Sequence, residues 1–246
     1  SCGVNGDVTF KINSGSYTEN ISILNPVMDA NANYKIVFTS TANNADSVII
    51  ISNTTAITLA NLRNVSFKHL TLNVVSGTMG VEFSNTCSNI EISYCKIKMN
   101  PTSTLSSNIG IYKADNTGTL DTITIKNNLI DGGYYGIYLY GGQYISSYIL
   151  GSNLIIDSNT ITNSYLCGMY YYYADFQSIG YNNISSRSSS PYSTYYGIRI
   201  AYSNANILGN RIYNPSAISN VYGIYLYYYF NYFTTLPGIV ANNEII

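Results

Sequence analysis

From about residue 76 onward, apolar and polar residues alternate in short bursts, and the bursts return in order. One burst opens on glycine: Gly80-Val-Glu-Phe83, Gly110-Ile-Tyr-Lys113, Gly136-Ile-Tyr-Leu139, Gly168-Met-Tyr-Tyr171, Gly197-Ile-Arg-Ile200 and Gly223-Ile-Tyr-Leu226. The other ends on an asparagine two places before a final isoleucine: Asn128-x-Ile130, Asn159-x-Ile161, Asn182-x-Ile184, Asn210-x-Ile212 and Asn243-x-Ile245. Period-two alternation means strands with one face buried. A unit repeating every ~23–33 residues means stacked coils. The pattern predicts an all-β chain, wound as a single-stranded parallel β-helix of about eight to nine coils.

Three buried columns follow. The positions one and three after each glycine face inward, so Lys113 interrupts a column of Phe83, Leu139, Tyr171, Ile200 and Leu226. A bulge or register shift is expected at Lys113. The second burst supplies Ile90/Ile92, Ile123/Ile125, Leu154/Ile156 and Ile207, and its last position supplies Leu72, Ile97, Ile130, Ile161, Ile184, Ile212 and Ile245. A fully buried large aliphatic side chain contributes ~1.5–3 kcal/mol. Most of that gross gain is offset by chain entropy.

Asn128, Asn159, Asn182, Asn210 and Asn243 share one position in five coils. Asparagine tolerates a left-handed backbone, and its amide can bond the copy on the next coil. A ladder of amides at the ~4.8 Å strand spacing is expected. In earlier coils the same position is Leu70 or Cys95, where packing must replace hydrogen bonding.

These residues resemble a right-handed parallel β-helix of the pectate-lyase-like superfold, which carries such ladders. The run Gly6-Asp-Val-Thr-Phe-Lys-Ile-Asn-Ser-Gly-Ser-Tyr-Thr-Glu-Asn-Ile-Ser-Ile23 is similar to the opening coil of pectin methylesterases. It is closer still to large secreted β-helix proteins of Bacteroidetes, a likeness continued by Tyr34-Lys-Ile-Val-Phe38, Asn44-Ala-Asp-Ser-Val-Ile49 and Val65-Ser-Phe-Lys-His-Leu-Thr-Leu72. The second resemblance implies export to the cell surface by type IX secretion. The repeat, which runs through the last two thirds without a linker, reads residues 1–246 as one β-helix domain, with N-terminal coils at 1–75 and regular repeats at 76–246. The chain begins without Met and stops inside a coil, which reads as a fragment of a longer chain.

Composition narrows the function classes. Charge is sparse and balanced at net −1, so nothing marks a nucleic-acid partner. No apolar run is long enough for membrane insertion. Four cysteines show no metal spacing, and no metal or cofactor is implied. Cys95 reads as a buried free thiol; a Cys87–Cys95 loop is the alternative. The lone histidine, His69, falls on a turn shoulder with Tyr94, Asn127, Ser158, Tyr181 and Asn242, and reads as structural. Catalytic β-helices need acids on neighbouring coils in one register, about 5–9.5 Å apart. The best pair here, Glu82 and Glu91, occupies different coil positions. The methylesterase likeness stops at the first coil: there is no Gln-Asp pair and no tryptophan.

Tyrosine is the remaining surface signal. The outward positions two and four after each glycine read Tyr138/Tyr140, Tyr170/Tyr172, Arg199/Ala201 and Tyr225/Tyr227. This predicts an exposed aromatic strip of Tyr138, Tyr140, Tyr170, Tyr172, Tyr225 and Tyr227, with Arg199 sandwiched between Tyr170 and Tyr225. The tyrosines Tyr134, Tyr135, Tyr144, Tyr148, Tyr192, Tyr195, Tyr196, Tyr228, Tyr229 and Tyr232 are expected in turns that flank it. Such a strip either staples the sheet or binds a sugar or protein surface. The expected function is a non-catalytic extracellular or cell-surface β-helix with structural or adhesive work. Its ends are open to end-to-end self-association into fibres. One alternative is a carbohydrate-binding module using the strip; another is a polysaccharide lyase or esterase.

Overall fold

The computed structural model describes residues 6–24, 34–113, 117–144, 148–149, 151–189, 192–215, 218, 220–227 and 238–246. It is an all-β parallel solenoid of about seven turns with almost no helix. The pattern led to an expectation of eight to nine coils; the last rungs, Val240–Ala241 and Glu244–Ile245, are only two residues long.

Each turn contributes to three flat runs. The first, here the lysine face, stacks Val8–Ile12, Ile36–Ser40, Leu120–Lys126, Gly151–Asp157, Ala174–Gly180 and Asn204–Leu208. The second stacks Gly15–Thr18, Val48–Ser52, Thr71–Val74, Lys96–Lys98, Leu129–Asp131, Thr160–Ser164, Asn183–Ser186, Arg211–Tyr213 and Glu244–Ile245 in chain order. The third, the tyrosine face, stacks Ile21–Leu24, Ile109–Lys113, Tyr135–Tyr140, Cys167–Tyr172, Thr194–Ala201 and Asn220–Tyr227. Two long strands, Ile57–Lys68 and Met79–Ser93, run through the corner between the tyrosine and lysine faces, which joins those two runs into one sheet.

Like residues stack on like. Ile50, Leu72, Ile97, Ile130, Ile161, Ile184, Ile212 and Ile245 are direct partners from rung to rung. So are Phe67, Ile92, Ile125, Ile156, Ile179 and Ile207 on the lysine face. At the N-terminal end the rings of Phe10, Phe38 and Phe67 stack at 5.0 and 5.1 Å. Nearly all of these aliphatic side chains are fully buried; Ile245, on the last rung, is exposed. Regular in-register pairing gives the backbone its partners, and the side-chain columns fill the lumen.

The ladder forms, with one correction to its backbone. Each asparagine donates its backbone N–H and one amide N–H to the Oδ1 of the next copy: Asn128 to Asn159, Asn159 to Asn182, Asn182 to Asn210 and Asn210 to Asn243, all at 2.9–3.1 Å. The other amide N–H reaches back to the carbonyl of Ile92, Ile125, Ile156, Ile179 or Ile207 on the preceding rung. Cys95 begins the series as a donor, its N–H bonding Asn128 Oδ1 at 2.9 Å. The left-handed residue is not the ladder asparagine but its predecessor: His69, Tyr94, Asn127, Ser158, Tyr181, Gly209 and Asn242 all have φ between 54° and 64°. The bend and the hydrogen bonding thus fall on adjacent positions. A left-handed L-residue costs ~1–2 kcal/mol, so the ladder bonds offset strain at each corner.

Lys113 also departs from expectation. It pairs in register with Leu139, with no bulge, and is fully buried in the column it was expected to break. Its stem packs as an apolar chain while Nζ donates to the Thr117 carbonyl at 3.1 Å.

The repeating glycines are explained by close approach. A Cβ on Gly136 would lie 2.5 Å from Ile161 Cγ2 and 2.7 Å from the Gly168 carbonyl oxygen; Gly80, Gly110, Gly168 and Gly197 meet the same two neighbours in their own rungs. Here the tyrosine face leaves the second run, and only a hydrogen fits between the turn's isoleucine and the next rung's backbone.

Candidate functional site

The tyrosine face begins immediately after this glycine corner. Pairing along it sets Glu82, Tyr112, Tyr138, Tyr170, Arg199 and Tyr225 in one outward column. Ring centroids are 5.7 Å apart from Tyr112 to Tyr138 and 5.1 Å from Tyr138 to Tyr170. The Arg199 guanidinium then lies 4.5 Å from the Tyr170 centroid, 5.6 Å from Tyr225 and 5.0 Å from Tyr196. The sandwich of Arg199 between Tyr170 and Tyr225 is therefore present, with Tyr196 as a third wall.

Tyr140 and Tyr172 stack in the neighbouring column at 5.8 Å. Ala201 leaves a gap on the next rung, and Tyr227 is exposed beyond it. The Tyr170 and Tyr172 hydroxyls hydrogen-bond to each other.

The strip is not the flat exposed surface its alternation implied. Neighbouring rings lie within 6 Å along the axis and cover one another, and Tyr170 is only 7% exposed. Side chains at ~4.8 Å spacing satisfy their apolar area on the next rung before they meet a ligand. Burial pushes the Tyr138 hydroxyl up to about 12, with a further push from neighbouring Tyr172 and Tyr112. Burial raises Tyr170 as well, together with its bond to Tyr172. These hydroxyls remain protonated donors across the physiological range.

Tyr135 and Tyr196, expected in flanking turns, lie instead within the strands Tyr135–Tyr140 and Thr194–Ala201. Tyr135 packs on Tyr138 and Tyr170 at 5.2 and 5.9 Å, and Tyr196 stacks on Tyr222 at 4.9 Å. These residues precede the corner glycine by one, a position that the outward count of two and four after the glycine does not reach. At the turn, Tyr134 meets Tyr135 at 4.9 Å, Tyr165 at 5.4 Å and Tyr192 at 6.3 Å. Arg187 lies over Tyr165 at 5.0 Å and donates to the Ser103 carbonyl at 3.0 Å. Tyr195, expected in a turn, is instead a core residue of the strand Thr194–Ala201. The side chains of Tyr144 and Tyr148, and all of Tyr228, Tyr229 and Tyr232, lie outside the described residues.

A second polar cluster sits on the lysine face. Glu91 accepts from Lys35 at 3.0 Å and Lys68 at 2.9 Å, with Lys126 at 3.7 Å and the Ser93 hydroxyl at 3.0 Å. Burial opposes its ionisation, but hydrogen bonds from Lys68, Lys35 and Ser93 outweigh that and hold the carboxyl down at about 2. Such a group stays ionised and is a poor general acid or base near neutrality. Glu82 lies in another column, paired with Thr58 and Tyr112. Other acids clamp adjacent rungs: Asp131 accepts from Thr162 and Asn163, Asp157 from Ser178 and the Gly180 N–H.

His69 stacks on Tyr94 at 5.1 Å, and its pKa is lowered by burial and by the charge of Lys68. Cys87, Cys95 and Cys167 are buried thiols, and no disulfide joins Cys87 to Cys95. Among the described residues no group of three or more His, Cys, Asp or Glu side chains is placed to hold a metal ion. No protein-family model, curated protein or solved structure matches the chain.

Proposed function

We propose that this chain is a structural and adhesive β-solenoid of an extracellular surface or matrix protein, and that it does no chemistry on its ligand. One observation carries the reading: the unbroken stack Tyr112–Tyr138–Tyr170–Arg199–Tyr225 along one outer face. It stiffens the rungs and turns a row of hydroxyls and one guanidinium outward. Cross-strand aromatic pairs of this type contribute ~0.2–1 kcal/mol each. The engagement of Glu91 with three lysines favours the non-catalytic reading.

The finer assignment is a right-handed β-helix of pectate-lyase-like type, forming one domain and resembling secreted Bacteroidetes surface proteins. The strong right-handed preference of parallel crossovers supports that hand, and the N-terminal motifs support that likeness. Depolymerisation assays on neutral and acidic polysaccharides test the main reading. Activity abolished by Glu82→Gln or Glu91→Gln would establish an enzyme instead. Light scattering at rising concentration tests self-association, and a constant monomer mass removes fibre formation.

A second reading, a carbohydrate-binding module, is favoured by Arg199, whose Nε is buried without an acceptor among the described residues. A glycan array against wild type, Tyr138→Ala and Tyr225→Ala decides it. Identical profiles for all three remove the strip from any binding role.

A further inference from the structure

Arg199 is the one member of its column on the last four described rungs that is not tyrosine. A tyrosine there would continue the stack at no cost in charge. An arginine instead brings a cation into a partly desolvated aromatic setting, which is unfavourable unless something answers the charge. The rings of Tyr170, Tyr196 and Tyr225 answer part of it, but no carboxylate among the described residues does. Arg199 takes part in none of the ion pairs, and its Nε is buried without an acceptor. The column's own carboxylate, Glu82, is four rungs away, about 19 Å at ~4.8 Å per rung.

Three rings lie 4.5–5.6 Å from the guanidinium carbon and Nε is buried, so the edge carrying the two Nη nitrogens is the one left for a partner. That edge matches two oxygens of a carboxylate or sulfate. A second cation belongs to the same field. Arg187 is 3% exposed, its Nε also lacks an acceptor, and ring contacts through Tyr165, Tyr134, Tyr135 and Tyr170 connect it to Arg199. No carboxylate is paired with either arginine among the described residues.

We propose that Arg199 in its tyrosine cage is an oxyanion-binding site, and that its ligand is an acidic sugar bearing a carboxylate or a sulfate ester. The tyrosine hydroxyls around it donate to sugar oxygens. The proposal rests on the carbohydrate-binding reading and narrows it to anionic glycans.

The test is calorimetric titration of the whole chain at low ionic strength with glucuronate, glucose 6-sulfate and, as neutral control, methyl glucoside. Arg199→Gln and Arg199→Lys are compared with wild type, and Lys126→Gln serves as a charge control on the other face. The expected result is binding of one or both acidic sugars over the neutral one. Affinity falls about tenfold or more in Arg199→Gln, less in Arg199→Lys, and is unchanged in Lys126→Gln. Preference for glucuronate or for the sulfate ester tells which oxyanion is the natural group. In wild type alone, the Arg199 side-chain NMR resonances shift on adding the acidic sugar, a readout that survives if a variant fails to fold. Acidic sugar bound equally by wild type and Arg199→Gln overturns the proposal. Equal binding of methyl glucoside overturns it while leaving carbohydrate binding intact, and no binding of any sugar overturns both.

Discussion

Asn128 donates from both its backbone N–H and its side-chain amide to the single Oδ1 of Asn159, at 3.1 and 3.0 Å. One oxygen therefore satisfies two buried donors of the preceding rung, and the same fork repeats through Asn243. Deleting a ladder amide orphans groups on a neighbour, not only on the mutated residue.

Asn159→Ala is expected to leave two Asn128 donors without a partner. Each costs about 1–3 kcal/mol, so a loss of roughly 2–6 kcal/mol follows, read from the urea midpoint. Asn243→Ala, on the less buried last rung, is expected to cost clearly less. Equal costs at the two positions would show that the ladder bonds are not the source of stability.

Gly136→Ala places a methyl 2.5 Å from Ile161 Cγ2 and 2.7 Å from the Gly168 carbonyl. Overpacking of this kind costs about 1–3 kcal/mol. Gly6→Ala has nothing within 4 Å and should be neutral. Thermal unfolding of the pair checks the contrast; a neutral Gly136→Ala would mean the rungs slide apart easily.

Tyr171 is fully buried, and its hydroxyl has no hydrogen-bond partner among the described residues. Tyr171→Phe removes that cost and keeps the ring, so stability should rise by about 1–3 kcal/mol. A destabilised Tyr171→Phe would reveal a buried water or another hidden acceptor.

Acid stability should depend on Glu91. Its folded pKa, about 2, lies below the ordinary carboxylate value. The contribution is therefore complete above about pH 4.5 and is lost as pH falls toward 2. Urea midpoints across that window should fall steeply in wild type and less steeply in Glu91→Gln, which is already destabilised at neutral pH by three unneutralised lysines. Parallel curves would remove Glu91 from acid unfolding.

Alkaline behaviour has the opposite sign. Burial raises Tyr138 to about 12, and Tyr170 and Tyr171 are raised as well. Folding favours the neutral hydroxyl, so this stability is present below about pH 10 and is lost as pH climbs toward 12. Tyrosinate absorbance should show the exposed rings titrating first, with the stacked rings following only on unfolding. A single transition near pH 10 in the folded chain would contradict the stacked column.

Much of this was legible in the chain itself. A period-two pattern repeated at a fixed length leaves one economical solution, so the aliphatic columns, the asparagine ladder and the register of Tyr138, Tyr170, Arg199 and Tyr225 could be read from spacing alone. The left-handed residue was misplaced by one position, because spacing marks a corner without saying which residue bends. Lys113 was misjudged because its type argued for the surface, while its four-carbon stem and the Thr117 carbonyl let it stay inside.

What only the tertiary structure decided was how side chains share space between rungs. Whether tyrosines lie open or cover one another depends on ring tilt across a ~4.8 Å step. Glu91 met Lys35, Lys68 and Lys126 because four strands far apart in the chain were stacked side by side. Arg199 was left without a carboxylate for the same reason. Local alternation sets which way a residue points; the stacking of distant rungs sets what it meets there.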